Sequence, residues 1–99
     1  MAGPRSAIVP APARLEYVVT EGCGDCVAFE ALLARVRPDY PDVTVTPVPA
    51  DSPRGIALSV QRGILRFPIV VVDDMVVGIE RISEVDLRAA LTDRRERLA

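Results

Sequence analysis

The sequence contains no histidine, lysine, tryptophan or asparagine, so every basic residue is an arginine. Without an imidazole, no Ser-His or Cys-His pair can activate a nucleophile, and without lysine no Schiff base can form. Metal ligands could come only from two thiols and from carboxylates. The two cysteines, Cys23 and Cys26, are therefore the source of the one strong nucleophile in the chain.

Long hydrophobic runs and concentrations of charge are missing as well. The formal net charge is −2 and the twelve arginines are spread along the 99 residues, so the sequence shows no basic patch of the kind that binds nucleic acid. No apolar run approaches the roughly 20 residues that a membrane helix requires. The hydrophobic share of 49% supports one packed domain without a metal or disulfide staple. We therefore expect no nucleic acid, no membrane and no metal or organic cofactor.

The first fourteen residues differ in composition from the rest. They are rich in alanine and proline, with prolines at positions 4, 10 and 12, and they lack the continuous apolar segment of a secretory signal. This composition predicts a flexible arm over residues 1–14, followed by a domain over residues 15–99. Without export we expect the protein in the reducing cytoplasm, where a cysteine pair is more often catalytic or metal-binding than a permanent staple.

Four segments have the composition of β-strands. Residues 15–20 are rich in β-branched and aromatic side chains, and residues 43–48 alternate with a period of two, with Pro47 favouring a sheet edge. Residues 69–72 form a continuous apolar run, which is typical of a central strand buried on both faces. Asp73-Asp74 then predicts a tight turn into a hairpin partner at residues 75–79.

Three helices are expected between and after these strands. The first follows Cys23 and has an apolar stripe at helical spacing, formed by Phe29, Leu32, Leu33 and Val36. Ser52-Pro53 opens a short second helix that ends near Gly63. Its predicted buried face comprises Ile56, Ala57, Val60 and Ile64. The third helix begins at Ser83-Glu84, and its predicted apolar face comprises Leu87, Ala90 and Leu91.

The two cysteines occur as Cys23-Gly24-Asp25-Cys26, between the first predicted strand and the first predicted helix. A helix N-terminus presents unpaired N–H groups and the positive end of the helix dipole, and both favour a thiolate. We therefore expect the pKa of the Cys23 thiol to lie below that of a free cysteine. The two-residue spacer allows the second sulfur to reach the first. Cys23, at the exposed start of the helix, is the predicted attacking thiolate, and Cys26, one turn later, is the predicted resolving thiol.

The element order β-α-β-α-β-β-α, the Cys-x-x-Cys after the first strand and the proline before the third together resemble the thioredoxin superfamily. The segment Gly63-Ile64-Leu65-Arg66-Phe67-Pro68 is similar to the thioredoxin Gly-Ile-x-x-x-Pro segment, in which the proline is cis. The short length and the turn-strand-Gly-helix ending are more similar to small glutaredoxin-like proteins. The resemblance covers roughly residues 15–92. It implies a thioredoxin-like α/β fold, with a four-stranded mixed sheet flanked by three helices.

The resemblance also implies an activity, that of a small thiol–disulfide oxidoreductase in cell redox homeostasis. Its substrate would be a disulfide-containing protein or the disulfide of a low-molecular-weight thiol. Electrons would come from a reductase protein or a small thiol. A cis Phe67-Pro68 bond beside the cysteines would shape the substrate groove.

Two spacer residues and one arginine are the candidates for tuning the site. Gly24 leaves the Cys23 sulfur open to a partner, while the Asp25 carboxylate disfavours a thiolate beside it. Arg66, close to the proline loop, is expected to offset Asp25. Asp25 stands where thioredoxins have proline, and Tyr17 aligns with their buried acidic residue, so that proton acceptor is replaced.

Two other readings of the cysteine pair stay open. Two thiolates do not complete a tetrahedral zinc site, but a dimer could pool four cysteines for zinc or a cluster, and a single pair could carry Cu(I). The chain would then be a metal-binding or cluster-binding carrier. Alternatively, the pair is redox-inert and the chain is an interaction module on the same fold.

Overall fold

A computed structural model describes residues 13–98, with side chains as far as residue 94. Its strands are β1 (Arg14–Val19), β2 (Thr44–Pro49), β3 (Ile69–Val72) and β4 (Met75–Ile79). Its α-helices are α1 (Gly24–Val36), α2 (Pro53–Leu58) and α3 (Glu84–Leu98), and short 3-10 helices follow α1 at Arg37–Asp39 and α2 at Val60–Arg62. The predicted element order is confirmed. Within residues 13–98, no helix is both long and apolar enough to cross a bilayer.

The four strands form one mixed sheet in the order β2-β1-β3-β4. β1 is parallel to β2 and antiparallel to β3, and β4 returns antiparallel to β3 through the turn at Asp73-Asp74. Both turn residues have positive φ angles, 48° and 71°, the geometry of a tight hairpin that aspartate tolerates. β2 lies at one edge of the sheet, which suits Pro47 because a proline has no N–H for a further strand.

The core is divided into two apolar clusters, because alternate residues of β1 and β3 point to opposite faces of the sheet. α1 and α3 pack against one face, where Leu87 of α3 is fully buried. α2 packs against the other face through Leu58. The stripe predicted for the first helix is confirmed, since it is buried at all four positions, Phe29, Leu32, Leu33 and Val36. β3 is buried along its whole length between these layers, as its apolar run predicted.

The predicted buried face of the second helix is wrong at Ile56 and Val60, which are 39% and 60% exposed. Gly55 and Leu58 are buried instead. A Cβ on Gly55 would overlap the carbonyl oxygen of Pro49, so α2 approaches the end of β2 closely only because glycine faces it. α2 also passes into a 3-10 helix after six residues, so the spacing that linked Ile56 to Val60 does not continue.

The packed domain begins earlier than the sequence predicted. Arg14 is the first residue of β1, and Ala13 is only 4% exposed, with its carbonyl oxygen accepting the Thr44 N–H at 2.9 Å. These two residues, assigned from composition to the arm, belong to the domain. Residues 1–12 lie outside the described part of the chain, so the arm itself stays a prediction.

The Asp73-Asp74 turn is held by arginines from two helices. Arg54 of α2 forms a bidentate pair with Glu16 of β1, at 2.7 and 2.9 Å, and its Nη2 also lies 2.6 Å from Asp74 Oδ1. Arg94 of α3 pairs with Asp73. Arg94 therefore joins α3 to the hairpin.

Candidate functional site

The cysteine pair lies at the point where β1 turns into α1. Gly22 in this turn has a φ of +69°, a left-handed conformation that a residue with a side chain adopts only under strain. The chain then becomes extended at Cys23, which is the N-cap of α1. The Cys26 backbone N–H donates to Cys23 Sγ at 3.0 Å, so the sulfur fills the capping position that Ser, Thr or Asp usually occupies. A free N–H of the first helical turn thus points at the Cys23 sulfur.

Cys23 and Cys26 are joined by a disulfide, with their Cα atoms 5.2 Å apart. The two sulfurs differ in access, because Cys26 is only 5% exposed while Cys23 is partly exposed. The sulfur at the start of the helix is therefore the one that a second molecule can approach. This asymmetry agrees with an attacking Cys23 and a resolving Cys26, although the roles themselves stay predictions.

The proline loop lies directly beside the pair. The Phe67-Pro68 peptide bond is cis, and the Phe67 carbonyl oxygen lies 3.6 Å from Cys23 Sγ. The Pro68 carbonyl accepts the backbone N–H of Glu80 at 2.8 Å, which connects this loop to the segment after β4. The fold thus brings Phe67, and with it Pro68, next to Cys23 from forty or more residues away in sequence, as the resemblance implied.

The spacer residues face different surroundings. Gly24 is exposed, and a Cβ there would meet no atom within 4 Å, so the space above the motif is open. The Asp25 carboxylate lies 3.7 Å from Arg81 Nε. Arg66 instead lies 3.7 Å from Glu80 and is 75% exposed. Arg81, and not Arg66, is therefore the cation that contacts the Asp25 carboxylate, and a tuning role for Arg66 stays a prediction.

The position of Arg81 follows from the hairpin register. β4 runs antiparallel to β3 with Ile79 opposite Ile69, so the residues after Ile79 lie beside those that precede Ile69. Pro68 and Arg81 are thus brought to the same end of the sheet as the cysteines. The predicted hairpin already indicated that the segments around Pro68 and Arg81 lie close together. The exact position of Arg81 depends on the strand register, which includes a bulge between Val70 and Val71.

Sequence reasoning also missed an acidic residue at the site. Glu30 of α1, one turn after Cys26, lines a cavity of about 460 Å³ together with both cysteines and Gly24. The Tyr17 hydroxyl donates to Glu30 Oε2 at 2.8 Å. Burial, followed by this hydrogen bond, raises the pKa of Tyr17 to about 12. Tyr17 of β1 thus holds the Glu30 carboxylate of α1 in the cavity that contains the two cysteines. The strand position itself carries a tyrosine and no acidic residue.

A second cavity, of about 430 Å³, lies on the other side of the motif. Its walls come from α1, through Asp25 and Arg35, from the segment between β4 and α3, through Arg81, and from the first residue of α3, Glu84. Arg35 contacts Glu84 at 3.4 Å, as Arg81 contacts Asp25. Both of these acidic side chains in the walls of the cavity therefore have an arginine beside them. The cysteine motif thus separates two clefts, of which one contains Glu30 and the other the Asp25–Arg81 pair.

The described residues show no ready metal centre. Between residues 13 and 98, no group of three or more His, Cys, Asp or Glu side chains is arranged to hold a metal ion. A metal carrier built on this chain would therefore rely on the two thiols or on a second copy.

The sequence matches no protein-family model and no curated protein. Its structure is similar to several solved ones. Thioredoxin O2 from Arabidopsis thaliana, in its oxidized state, superposes with a TM-score of 0.62 at 20% identity, covering 93% of this chain and 86% of that one. Oxidized mitochondrial thioredoxin 3 from Saccharomyces cerevisiae superposes with a TM-score of 0.62 at 20% identity, covering 93% and 88%. A structure from work on thiol resolution in yeast mitochondrial 1-Cys peroxiredoxin superposes with a TM-score of 0.64 at 20% identity, covering 94% and 89%.

Proposed function

Because the chain has the thioredoxin fold, we propose that it is a thiol–disulfide oxidoreductase that uses Cys23 and Cys26 as its redox dithiol. The observation that carries this proposal is the disulfide at the N-terminus of α1, with one accessible and one buried sulfur. A buried structural staple would not need an accessible sulfur, an open space above the spacer or a neighbouring backbone carbonyl.

The proposed reaction starts from the reduced dithiol. The Cys23 thiolate, stabilised by the Cys26 N–H and the helix dipole, attacks one sulfur of a substrate disulfide. This forms a Cys23–substrate disulfide and releases the other substrate sulfur as a thiolate, which takes a proton. Cys26 then loses its proton and attacks the Cys23 sulfur, so the Cys23–Cys26 bond forms and the remaining substrate thiol leaves. The substrate gains the two electrons that the dithiol loses.

The surroundings of Cys23 favour an extended segment as the group that delivers the substrate disulfide. Phe67 and Pro68 border the sulfur from one side, and the Phe67 carbonyl is close enough to accept an N–H from a docked chain. A disulfide-containing protein and a low-molecular-weight disulfide both fit the open space over Gly24. The electron donor is a reductase protein or a small thiol, and the cytoplasm, the compartment predicted from the sequence, keeps such a dithiol reduced.

A turnover assay tests the proposed function. A protein disulfide is incubated with a small dithiol as the electron donor, with and without catalytic amounts of this protein, and substrate reduction is followed over time. The protein is expected to accelerate reduction in proportion to its concentration. Equal rates with and without it, for protein and low-molecular-weight disulfides alike, would contradict the proposal.

A further inference from the structure

The second step of the proposed reaction requires the removal of a proton from Cys26. The Cys26 residue is only 5% exposed, and burial in apolar surroundings disfavours a thiolate. An acceptor close to Cys26 would therefore determine how fast the intermediate with the substrate is resolved. The chain contains no histidine and no lysine, so a carboxylate is the common general base that remains among its side chains.

Three carboxylates lie close to the motif in sequence, and their surroundings differ. Asp25 is paired with Arg81 and lines the cavity on the far side of the motif. Glu21 is exposed and lines a separate cleft with Pro49 and Asp51. Glu30 is also exposed, but it alone among the three lines the cavity that contains the cysteines, and this cavity of about 460 Å³ has room for water.

Tyr17 fixes the position of Glu30. The tyrosine is 6% exposed and packs on Phe29 with ring centroids 5.3 Å apart, so its hydroxyl is held rigidly below α1. Because the pKa of Tyr17 is raised to about 12, the hydroxyl stays protonated and donates to Glu30 throughout the physiological range. One carboxylate oxygen, Oε2, accepts this hydrogen bond, which leaves Oε1 to accept a proton from the cavity.

We propose that Glu30 is the proton acceptor for Cys26 during resolution, and that Tyr17 is the residue that positions it. The Cys26 thiol gives its proton to Glu30, directly or through cavity water, as the Cys26–Cys23 bond forms and the Cys23–substrate bond breaks. The leaving substrate thiolate then takes a proton from Glu30 or from solvent, which restores the carboxylate. This proposal rests on the oxidoreductase function and adds one residue role to it.

Several charged groups act on this proton transfer besides Glu30. Arg37, which follows α1, acts electrostatically on Tyr17 and lowers its pKa, against the larger effect of burial. On α1 itself, Asp25 is turned towards Arg81, and Cys23 shares the cavity with Glu30. The matched variants are therefore Glu30→Gln, which keeps an oxygen for the Tyr17 hydrogen bond, and Glu21→Gln, which removes a nearby charge outside this cavity.

A chromogenic aryl disulfide, dithiobis(nitrobenzoate), separates the two steps in one experiment. Mixed in equimolar amount with the fully reduced protein, it should release one thionitrobenzoate when Cys23 attacks and a second when Cys26 resolves the intermediate. The first phase reports Cys23 and the second reports Cys26. Stopped-flow absorbance across a pH series, in weakly buffering solution, gives both rates.

In Glu30→Gln, the second phase is expected to slow about 100-fold near neutral pH, while the first phase stays within about twofold of wild type. The wild-type second phase should depend less on pH between mildly acidic and neutral conditions, because a general base takes the proton as the new bond forms. In Glu30→Gln, it should instead rise about tenfold per pH unit, as expected when the thiolate must form beforehand. Tyr17→Phe should slow the second phase less, and a small added base such as acetate should restore Glu30→Gln.

Three results decide the matter. Slowing confined to the second phase in Glu30→Gln, with Glu21→Gln unchanged, would support the proposal. Second-phase rates and pH profiles that are the same in wild type, Glu30→Gln and Glu21→Gln would overturn it while leaving the oxidoreductase function intact. A wild-type protein that turns over no disulfide substrate would contradict the proposed function itself, independently of Glu30.

Discussion

The two ends of the sheet both carry aspartates paired with arginines, but the pairs differ in geometry. At the Asp73-Asp74 turn, Arg54 reaches Asp74 at 2.6 Å and holds Glu16 through two hydrogen bonds. At the cysteine end, Asp25 and Arg81 are 3.7 Å apart, and Arg81 is 86% exposed. Close, bidentate pairs contribute to stability, whereas long, exposed pairs contribute little. The charges at the cysteine end are thus loosely held and remain able to act on the sulfurs.

The largest expected difference between the two ends is in activity. Cys23→Ser should reduce disulfide turnover by about 1,000-fold or more, because the nucleophile is lost. Arg54→Met, at the other end, should leave turnover per folded molecule within about twofold of wild type, because it touches no reacting atom. The turnover assay described above measures both. A Cys23→Ser protein that keeps wild-type turnover would contradict the assignment of the nucleophile.

A smaller difference is expected in acid stability, through Glu16. The Arg54 hydrogen bond is the largest factor that holds the pKa of Glu16 below its ordinary value of 4.5. A lowered folded-state pKa stabilises the fold above the unfolded-state pKa, and this contribution is lost as the pH falls through the folded-state value. Glu16→Gln should therefore cost about 1 kcal/mol near neutral pH and progressively less below pH 4.5. Urea unfolding at several pH values measures the gap, and a gap that stays constant into acid would contradict the pairing.

The smallest expected effects are at the cysteine end, on the first phase of the aryl disulfide reaction. Asp25→Asn should speed this phase and Arg81→Gln should slow it, each by about threefold at low salt, because the carboxylate disfavours the Cys23 thiolate and the arginine compensates it. Added salt should reduce both effects. Arg66→Gln is the matched control, since Arg66 contacts Glu80 instead.

A double-mutant cycle tests whether Arg81 acts through Asp25. If Arg81 acts mainly through Asp25, Arg81→Gln should have a smaller effect in the Asp25→Asn background than in wild type. Equal effects in the two backgrounds would show that the Asp25–Arg81 ion pair does not couple the two side chains in solution.

Much of the fold could be predicted because its local signals agree with its tertiary contacts. The stripe on α1 is buried as its spacing predicted, β3 is buried on both faces, and Ser52 caps α2 by accepting the Gly55 N–H. The buried face of α2 could not be predicted in the same way. Six residues are too few to define a stripe, and the rotation of the helix depends on the contact between Gly55 and Pro49.

The site was predictable where the sequence itself carries the chemistry, and less so where distant segments meet. Cys23 and Cys26 are only three positions apart in the sequence, and Pro68 was found by resemblance. Arg81 and the Tyr17–Glu30 hydrogen bond depend on strand register and on which helix face covers β1, which a single sequence does not specify.

The central claim is that Cys23 and Cys26 cycle between dithiol and disulfide. It is tested most directly by equilibrating the purified protein in a series of redox buffers, trapping free thiols with an alkylating reagent, and measuring metal content on the same samples. A redox-active pair should show a reversible two-electron transition in which both cysteines are trapped together, in protein without bound metal. A pair whose state is unchanged by any redox buffer, or thiols protected by stoichiometric metal, would contradict it.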